Sequence, residues 1–370
     1  MLSMQISKTH IIFMLLFSIV TGAMGQSKKS NLRNQVEKII KFDSKVDMAS
    51  TPAFLLTVID GSYSETIFFQ NDQDLGKNGF YLDEQSVFEL GSISKTITAY
   101  MFLKMVEQGI LTREQSINEL LPEEYRNQRL KDYTIMDIFT LNSPLPNVFQ
   151  GMGFYESDAT NPYELLTKED LLNLYKSYFP EHTGKNPSYG DIDFALLEVV
   201  MENASNMEYD QLLNKYINVP LGTGFFTTSY EKKDDVVVKG INRSGVEGEG
   251  YQFKSFAGSA GVKGNMGDLK KLVEHWLKDQ KIGVDKTVFK ALPATWTTKL
   301  RAKDGFYVLD VGRGQFPFVS NGLTNIHHSF IGFLPKTNTA VICLSASGTS
   351  TQDLSLLVLR MINNNWRRKR

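Results

Sequence analysis

The chain has 370 residues, of which 42% are hydrophobic and 22% are charged, and its formal net charge at pH 7 is −1. This composition is typical of a globular protein with one large domain or two small ones. Binding to nucleic-acid phosphates needs a basic surface, so a chain of this charge is not expected to have a nucleic-acid partner.

The N-terminus has the pattern of a secretory signal peptide. Lys8 and His10 precede an apolar run over residues 11–20, and the small residues Ala23 and Gly25 follow it. This order predicts cleavage after Gly25 and a secreted or periplasmic protein, with residues 26–370 as the mature domain. The alternative is a membrane anchor, but the apolar run is short for a membrane span. We expect no membrane contact beyond this segment.

Cysteine and histidine usage gives no indication of a metal or another cofactor. Cys343 is the only cysteine in the sequence and lies in an apolar stretch typical of a buried strand. One cysteine cannot form an internal disulfide, so the fold must rest on its core. The sequence has no zinc-type ligand spacing, and the adjacent His327 and His328 would point to opposite faces of a strand.

In chain order, the sequence predicts strands, then helices, then strands and a final helix. After a helical pattern within residues 27–50, the predicted elements are a hairpin of strands Phe54–Asp60 and Tyr63–Gln70, helices at Thr134–Leu141, Thr167–Tyr178, Ile192–Glu202 and Tyr209–Ile217, a glycine-rich loop over residues 240–262, a helix capped by Asn265, strands at Tyr307–Val311, Phe316–Val319, Ser329–Phe333 and Ala340–Leu344, and a closing helix from Thr351 to about Asn365.

This order predicts an α/β fold in which both chain ends build one antiparallel sheet flanked by helices. The sheet part is expected at about residues 50–111 and 300–370. The inserted, mostly helical region is expected at about residues 112–299.

Residues 88–103 read as the end of a strand, a tight turn at Gly91 and the start of an apolar helix. Ser92 and Lys95 are three residues apart and therefore share one helix face. At the helix N-terminus, free backbone N–H groups and the helix dipole favour an oxyanion next to the Ser92 hydroxyl. A lysine that loses hydration in a buried helix can serve as the base that a serine nucleophile needs.

A second Ser-x-x-Lys spacing occurs at Ser229 and Lys232. It lies in a polar run over residues 229–235, with no strand before it and no apolar helix after it. We interpret this copy as a solvated turn.

The segment over residues 88–121 resembles the active-site segment of class C β-lactamases and their relatives, which include D-alanyl-D-alanine carboxypeptidases and serine esterases. The similarity includes Glu107-Gln-Gly109 and the Leu120-Leu-Pro122 turn, and a weaker similarity extends from about Thr51 to Ser347. The resemblance implies a β-lactamase-like fold with its site in the cleft between sheet and helical region, and it implies that Ser92 is the nucleophile.

In this family a Tyr-x-Asn motif lines the cleft, and Tyr189-Gly-Asp191 occupies the matching place. The resemblance implies that Tyr189 handles the proton together with Lys95. The alternative is a buried tyrosine at the start of a helix. Asp191 departs from the usual asparagine, because a carboxylate accepts hydrogen bonds but cannot donate to a substrate carbonyl. Near Lys95 it would stabilise the ammonium form and leave more of the base work to Tyr189.

The tripeptide Ser320-Asn321-Gly322 stands where relatives carry Lys-Thr-Gly or His-x-Gly on an edge strand. Together with Asp191, these three residues are expected to bind substrate. Gly322 would let a substrate backbone pass close to the strand. The Leu323 N–H would be the second oxyanion donor beside the N–H of Ser92. Ser320 replaces the cation that meets a substrate carboxylate in relatives.

The resulting hypothesis is an exported, monomeric serine hydrolase that acts through an acyl-enzyme on a small-molecule or peptide ester or amide. Since Ser320 removes the counterion for an anionic substrate, the sequence favours an esterase more than a β-lactamase. Two alternatives stay open. One is a catalytically inactive β-lactamase-like binding protein, because two of the three motifs are altered. The other is an acyltransferase on the same fold.

Overall fold

The computed structural model describes residues 31–70, 82–147, 161, 163–180, 190–229, 237–279, 290–291, 300–312 and 314–363. The predicted signal peptide over residues 1–25 and the polar loop predicted over residues 71–78 lie outside these residues. No helix within the described ranges is long and apolar enough to cross a membrane.

The chain divides into two compact units, Met1–Lys45 and Val46–Arg370. The described part of the first unit is a helix, α1, over residues 31–42. This helix agrees with the helical pattern in residues 27–50. All other elements belong to the second unit.

Twelve strands are present in the described part of the second unit. They are β1 (Ala53–Asp60), β2 (Tyr63–Gln70), β3 (Val87–Glu89), β4 (Gly240–Ile241), β5 (Glu247–Gly248), β6 (Lys263–Asn265), β7 (Lys290–Ala291), β8 (Leu300–Lys303), β9 (Phe306–Leu309), β10 (Phe318–Leu323), β11 (His328–Leu334) and β12 (Thr339–Ser345).

Eight of these strands form one sheet, in the order β2-β1-β12-β11-β10-β9-β8-β7, and all of its pairings are antiparallel. Strand β1, near the start of the unit, pairs with β12, near its end, with Thr57 opposite Ile342. Both ends of the unit therefore build the same sheet, and the predicted antiparallel α/β fold is confirmed. The burial of every residue of β11 and β12 shows that the centre of the sheet is covered on both faces.

Of the nine α-helices described in the second unit, the sequence predicts all but two short ones, which begin at Ile117 and Val219. They are α2 (Ile93–Glu107), α3 (Ile117–Leu120), α4 (Ile135–Phe139), α5 (Lys168–Ser177), α6 (Asp191–Ser205), α7 (Tyr209–Leu213), α8 (Val219–Leu221), α9 (Met266–Lys278) and α10 (Gln352–Ile362). Thr167 and Asp170 form a capping box at the start of α5. The Asn265 side chain accepts a hydrogen bond from the Asp268 N–H and caps α9.

Short elements were not visible in the sequence pattern. Residues 240–262 contain the hairpin of β4 and β5 and a π-helical turn over Ala257–Gly261, where only a loop was predicted. Strand β3 pairs with β6 in a separate two-stranded sheet. Strands of two or three residues are too short to show the alternation of polar and apolar residues on which a strand prediction depends.

Helix α2 lies in the interior, with eleven of its fifteen residues buried. Its polar side chains bind the π-helical turn: the Ser94 hydroxyl accepts from the Val262 N–H at 3.0 Å, and the Thr98 hydroxyl donates to the Gly258 carbonyl at 2.7 Å. Glu198 of α6 accepts from the Gly258 N–H at 2.6 Å on the other side. The turn therefore joins α2 to α6 through hydrogen bonds that are all buried.

The Glu198 carboxyl predicts how stability depends on pH. Burial, together with the charge of Glu202, raises the pKa of Glu198 from 4.5 to about 8. Between these values the folded state holds a proton that the unfolded state has released. The free energy of unfolding should therefore fall as the pH rises from 4.5 to about 8.

Glu198→Gln cannot ionise and should reduce this fall by on the order of 4 kcal/mol at most. The measurement is urea unfolding at pH 5 and pH 8 for both proteins. Glu119→Gln, at an exposed position of α3, is the matched control and should behave like the wild type. An equal pH dependence in wild type and Glu198→Gln contradicts the assignment.

Candidate active site

Ser92 and Lys95 meet at the start of α2. Ser92 is the N-cap residue of this helix and is partly exposed, and Gly91 before it has a φ of +50° that favours glycine. The Lys95 Nζ donates a hydrogen bond to the Ser92 Oγ at 2.8 Å. The predicted order of strand, tight turn and helix is confirmed, and it brings the hydroxyl and the ammonium into direct contact.

The Lys95 ammonium is buried and fully hydrogen-bonded. The side chain is 1% exposed, and its Nζ also donates to Asp191 Oδ1 at 2.6 Å and to the Ser259 carbonyl at 3.0 Å. Three acceptors among the described residues match the three protons of an ammonium, so the buried charge is compensated. One of these acceptors, the backbone carbonyl of Ser259, could not be found from the sequence, since every residue has a carbonyl.

Asp191 is the first residue of α6, where the helix dipole stabilises a carboxylate. Its Oδ2 accepts a hydrogen bond from the Tyr163 hydroxyl at 2.8 Å. Burial and the neighbouring Asp191 charge raise the pKa of Tyr163 well above its usual range, so the phenol stays protonated and acts as a donor. Sequence reasoning missed Tyr163, because its loop carries no motif that links it to position 191.

A buried polar cluster holds the start of α6 in place. Asp193 accepts hydrogen bonds from the Tyr133 hydroxyl at 2.7 Å and from the Ser143 hydroxyl at 2.6 Å. Burial raises the pKa of Asp193 to about 7. The Asp191 N–H donates to the Asn147 carbonyl at 3.0 Å. The turn over residues 141–147 therefore positions the Asp191 carboxylate.

The Leu323 N–H lies next to the turn that carries Ser92. A Cβ added to Gly91 would be 2.7 Å from the Leu323 nitrogen. The Thr324 N–H donates to the His327 carbonyl, and donor directions alternate along an antiparallel pair, so the Leu323 N–H points away from β11. Strand β9 pairs with β10 only at Phe318 and Val319, which leaves this edge of β10 unpaired within the described sheet.

Gly322 is required by the protein's own backbone. A Cβ at this position would lie 1.9 Å from the Leu90 carbonyl oxygen and 2.6 Å from the Ser329 Oγ. The Ser329 hydroxyl donates to the same Leu90 oxygen at 2.6 Å. Gly322 is predicted from the sequence to let a substrate backbone pass, and the structure adds a second reason for glycine, the close packing of β10 on the strand end before α2.

Ser320 lies on the same face of β10 as Gly322, because side chains alternate along a strand. It is 2% exposed, and its hydroxyl has no hydrogen-bond partner among the described residues. Asn321 points to the opposite face and is partly exposed. The position that carries a cation in relatives is therefore a small, buried, uncharged side chain.

Two residues named by the sequence motifs cannot be placed. Tyr189 lies outside the described residues, although its neighbour Gly190 is the N-cap of α6. In the second Ser-x-x-Lys copy, the Ser229 N–H donates to the Thr227 hydroxyl, and Lys232 lies outside the described residues.

The described residues contain no group of three His, Cys, Asp or Glu side chains that could hold a metal ion. His327 is buried and its pKa is lowered by burial. Its Nδ1 accepts from the Glu89 N–H at 3.1 Å, and its Nε2 then donates to the Val238 carbonyl at 2.8 Å. This histidine joins three segments of backbone and is a structural residue.

Solved structures of a β-lactamase and of a β-lactamase/carboxypeptidase share this fold. A class C β-lactamase from Rhodobacter sphaeroides has a TM-score of 0.70 at 15% identity, covering 89% of this chain and 98% of that chain. A β-lactamase/D-alanine carboxypeptidase from Yersinia pestis complexed with citrate has a TM-score of 0.71 at 14% identity, covering 90% and 98%. The fold is β-lactamase-like, as the resemblance implied.

The Beta-lactamase family model matches residues 68–360, and the chain therefore belongs to the β-lactamase family, a family of penicillin-binding-protein-like serine hydrolases. It is 25% identical over 229 residues to a β-lactamase of Providencia stuartii, covering 58% of this chain and 53% of that protein. It is 24% identical over 228 residues to the D-alanyl-D-alanine-carboxypeptidase/endopeptidase AmpH of Escherichia coli strain K12, covering 60% and 56%. The chain spans about half the length of these two curated relatives.

Tyr163→Phe keeps the Asp191 carboxylate but removes the hydrogen bond that the Tyr163 hydroxyl donates to its Oδ2 at 2.8 Å. Because this bond positions the carboxylate that contacts Lys95, its loss should lower kcat by roughly tenfold.

The measurement is kcat with a nitrophenyl ester for wild type and Tyr163→Phe. An unchanged kcat in Tyr163→Phe would show that the tyrosine does not position Asp191 for the reaction.

Proposed function

We propose that the chain is an exported serine hydrolase that acts through an acyl-enzyme formed on Ser92. The observation that carries the proposal is the 2.8 Å hydrogen bond between the buried Lys95 ammonium and the Ser92 hydroxyl, in a chain of the β-lactamase family. Export rests on the N-terminal sequence pattern alone. The curated relatives, a β-lactamase and a carboxypeptidase, support acyl transfer as the class of reaction.

In the proposed reaction the Ser92 Oγ attacks the substrate carbonyl carbon, and its proton passes to the Lys95–Tyr189 pair. The N–H groups of Ser92 and Leu323 stabilise the oxyanion. The leaving group takes the proton back and departs, which leaves an ester on Ser92. Water then attacks this ester and regenerates the hydroxyl. If another molecule took the acyl group from Ser92 in place of water, the protein would be an acyltransferase with the same intermediate.

The Asp191 carboxylate affects how the proton transfer is shared between Lys95 and Tyr189 in this proposal. Its Oδ1 lies 2.6 Å from the Lys95 Nζ and forms an ion pair with the ammonium. A charged lysine stabilises the Ser92 oxygen as it loses its proton but cannot itself accept that proton. Tyr189 therefore receives the larger share of the proton transfer in this proposal.

The same ion pair favours a second candidate function, a catalytically inactive binding protein. If Lys95 remains charged and no other base reaches Ser92, the hydroxyl stays a poor nucleophile. The cleft would then bind an acyl compound without cleaving it. The two candidates differ in whether Ser92 forms a covalent bond with a reactive acyl or phosphonyl probe.

We expect Ser92 to be labelled covalently by a fluorophosphonate, because the attack on phosphorus needs the same activated hydroxyl. The labelled peptide is to be mapped by mass spectrometry. Ser92→Ala should abolish labelling and keep the wild-type melting temperature, while Ser229→Ala is the matched control and should label normally. Labelling at Ser229, or no labelling of the folded wild type, contradicts the mechanism and supports the binding protein.

The uncharged Ser320 predicts a preference for esters over β-lactams. Removing the cation from a partly desolvated ion pair with a substrate carboxylate costs on the order of 2–5 kcal/mol of binding free energy. Its absence should lower kcat/KM for penicillins and cephalosporins by roughly thirtyfold or more, at about 1.4 kcal/mol per tenfold. The kcat/KM for an uncharged ester is not lowered by the missing cation. The alkoxide of an ester also departs more readily than the amine of an amide.

The comparison is hydrolysis of a nitrophenyl ester and of a chromogenic cephalosporin by one preparation. Measurable ester cleavage with poor or absent cephalosporin turnover is expected. Ser320→Lys should raise cephalosporin turnover relative to ester cleavage. Efficient cephalosporin turnover without ester cleavage by the wild type would overturn the preference.

A further inference from the structure

A polar cavity of about 360 Å³ lies beside the Leu323 end of β10. Seven described residues line it: Asn242, Arg243, Ser244, Tyr251, Leu323, Thr324 and Asn325. Arg243 is the one charged residue among these seven. The cavity shares Leu323 with the proposed oxyanion site, so a substrate whose carbonyl oxygen binds there can reach the cavity with another part of its structure.

Arg243 is carried by a tight turn between β4 and β5. The Gly245 N–H donates to the Asn242 carbonyl at 3.0 Å, and the Asn242 Oδ1 accepts from the N–H groups of Ser244 at 2.9 Å and Val246 at 3.1 Å. These bonds fix the backbone on both sides of Arg243, so the position at which its side chain leaves the backbone is well defined.

The turn is held against the sheet by close backbone packing. The Gly348 N–H donates to the Ile241 carbonyl at 2.8 Å. A Cβ at Gly240 would lie 2.2 Å from the Ile326 carbonyl oxygen, so no larger residue fits there. The hairpin that carries Arg243 is therefore seated on the segment that follows β10, and it cannot move away from Leu323 without separating these contacts.

Three side chains around the cavity, Asn242, Arg243 and Tyr251, offer hydrogen-bond donors, whereas the Asn325 amide nitrogen donates to the Glu249 carbonyl at 3.2 Å and leaves its Oδ1 as an acceptor. The Arg243 Nε donates to the Gly348 carbonyl at 3.4 Å, and the other guanidinium nitrogens have no partner among the described residues. The Asn242 Oδ1 is occupied, which leaves its amide nitrogen as a donor. Burial and the charge of Glu89 raise the pKa of Tyr251, so its phenol is protonated. A donor set with one guanidinium matches a carboxylate.

In the proposed mechanism, the cavity is assigned to the acyl side of the reacting carbonyl. A leaving group must be next to the groups that return its proton, and neither Ser92 nor Lys95 lines the cavity. Ser320 precedes Leu323 on the strand, whereas the cavity residues Thr324 and Asn325 follow it. The part of a substrate that reaches the cavity therefore points away from the departing group.

We propose that Arg243 binds a second carboxylate at the far end of the acyl group, so that the substrates are esters or amides of dicarboxylic acids. This inference rests on the proposed acyl-enzyme function and names its substrate class. It also gives a reason for the cleft to be uncharged at Ser320: the anionic group is recognised on the acyl side, and the leaving group can be neutral.

The test compares the mono-nitrophenyl ester of adipic acid with nitrophenyl hexanoate, which has the same chain length and no carboxylate. After subtraction of hydrolysis without protein, kcat/KM should be roughly tenfold higher for the adipate ester, as one hydrogen-bonded charge pair allows. Arg243→Gln should remove this preference by slowing the adipate ester only. Arg243→Lys should keep part of it.

Lys239→Gln is the matched control, because Lys239 precedes the same hairpin, pairs with Glu247 on the surface and does not line the cavity. It changes the net charge equally and should leave the preference intact. Equal rates for the two esters in the wild type, or an equal loss for both in Arg243→Gln, would overturn the proposal while leaving the hydrolase intact.

If neither ester is cleaved, the hydrolase proposal fails and the binding site is tested without catalysis. Adipate itself is titrated calorimetrically into wild type, Arg243→Gln and Lys239→Gln. A dissociation constant that rises roughly tenfold in Arg243→Gln only supports the anion site. No binding by the wild type, or equal binding by all three proteins, overturns it.

Discussion

The rest of the site depends on the burial of the Lys95 ammonium. A buried charge is costly unless it is paired and hydrogen-bonded, and Lys95 finds its acceptors on three separate segments: Ser92 in its own helix turn, Asp191 on α6 and Ser259 in the π-helical turn. These segments must assemble around the lysine for the helix to be buried at all. The hydrogen bonds that offset the burial of the Lys95 ammonium also align the Ser92 hydroxyl, the ammonium and the Asp191 carboxylate.

A second constraint acts through the backbone. Gly322 and Gly91 bring β10 and the start of α2 so close that neither position has room for a Cβ. This contact brings the Leu323 N–H next to the turn that carries Ser92, although the two belong to elements more than 200 residues apart. The proposed oxyanion site of two backbone N–H groups needs a rigid backbone, and close packing of glycine against a carbonyl supplies that rigidity.

Charge is distributed unevenly along this edge of the sheet. Ser320, on the proposed leaving-group side, is buried and uncharged, while Arg243, on the proposed acyl side, is charged, exposed and held by a tight turn. The aromatic ring of Tyr163 connects the two regions, because it packs edge-on against Tyr251 at 5.6 Å and its hydroxyl binds Asp191. Tyr163 therefore contacts both a residue that lines the cavity and the carboxylate that pairs with Lys95.

The sequence by itself determined those features that depend on residues close together in the chain. The Ser92–Lys95 contact, the caps at Thr167 and Asn265 and the longer strands follow from spacings of one to four residues, which the helix and strand periods translate directly into geometry. Tertiary structure alone decided the partners that come from elsewhere. The Ser259 carbonyl has no side-chain signature, Tyr163 lies in a loop without a motif, and Arg243 gains meaning only from the cavity beside it, because long-range packing and not local pattern brings such groups together.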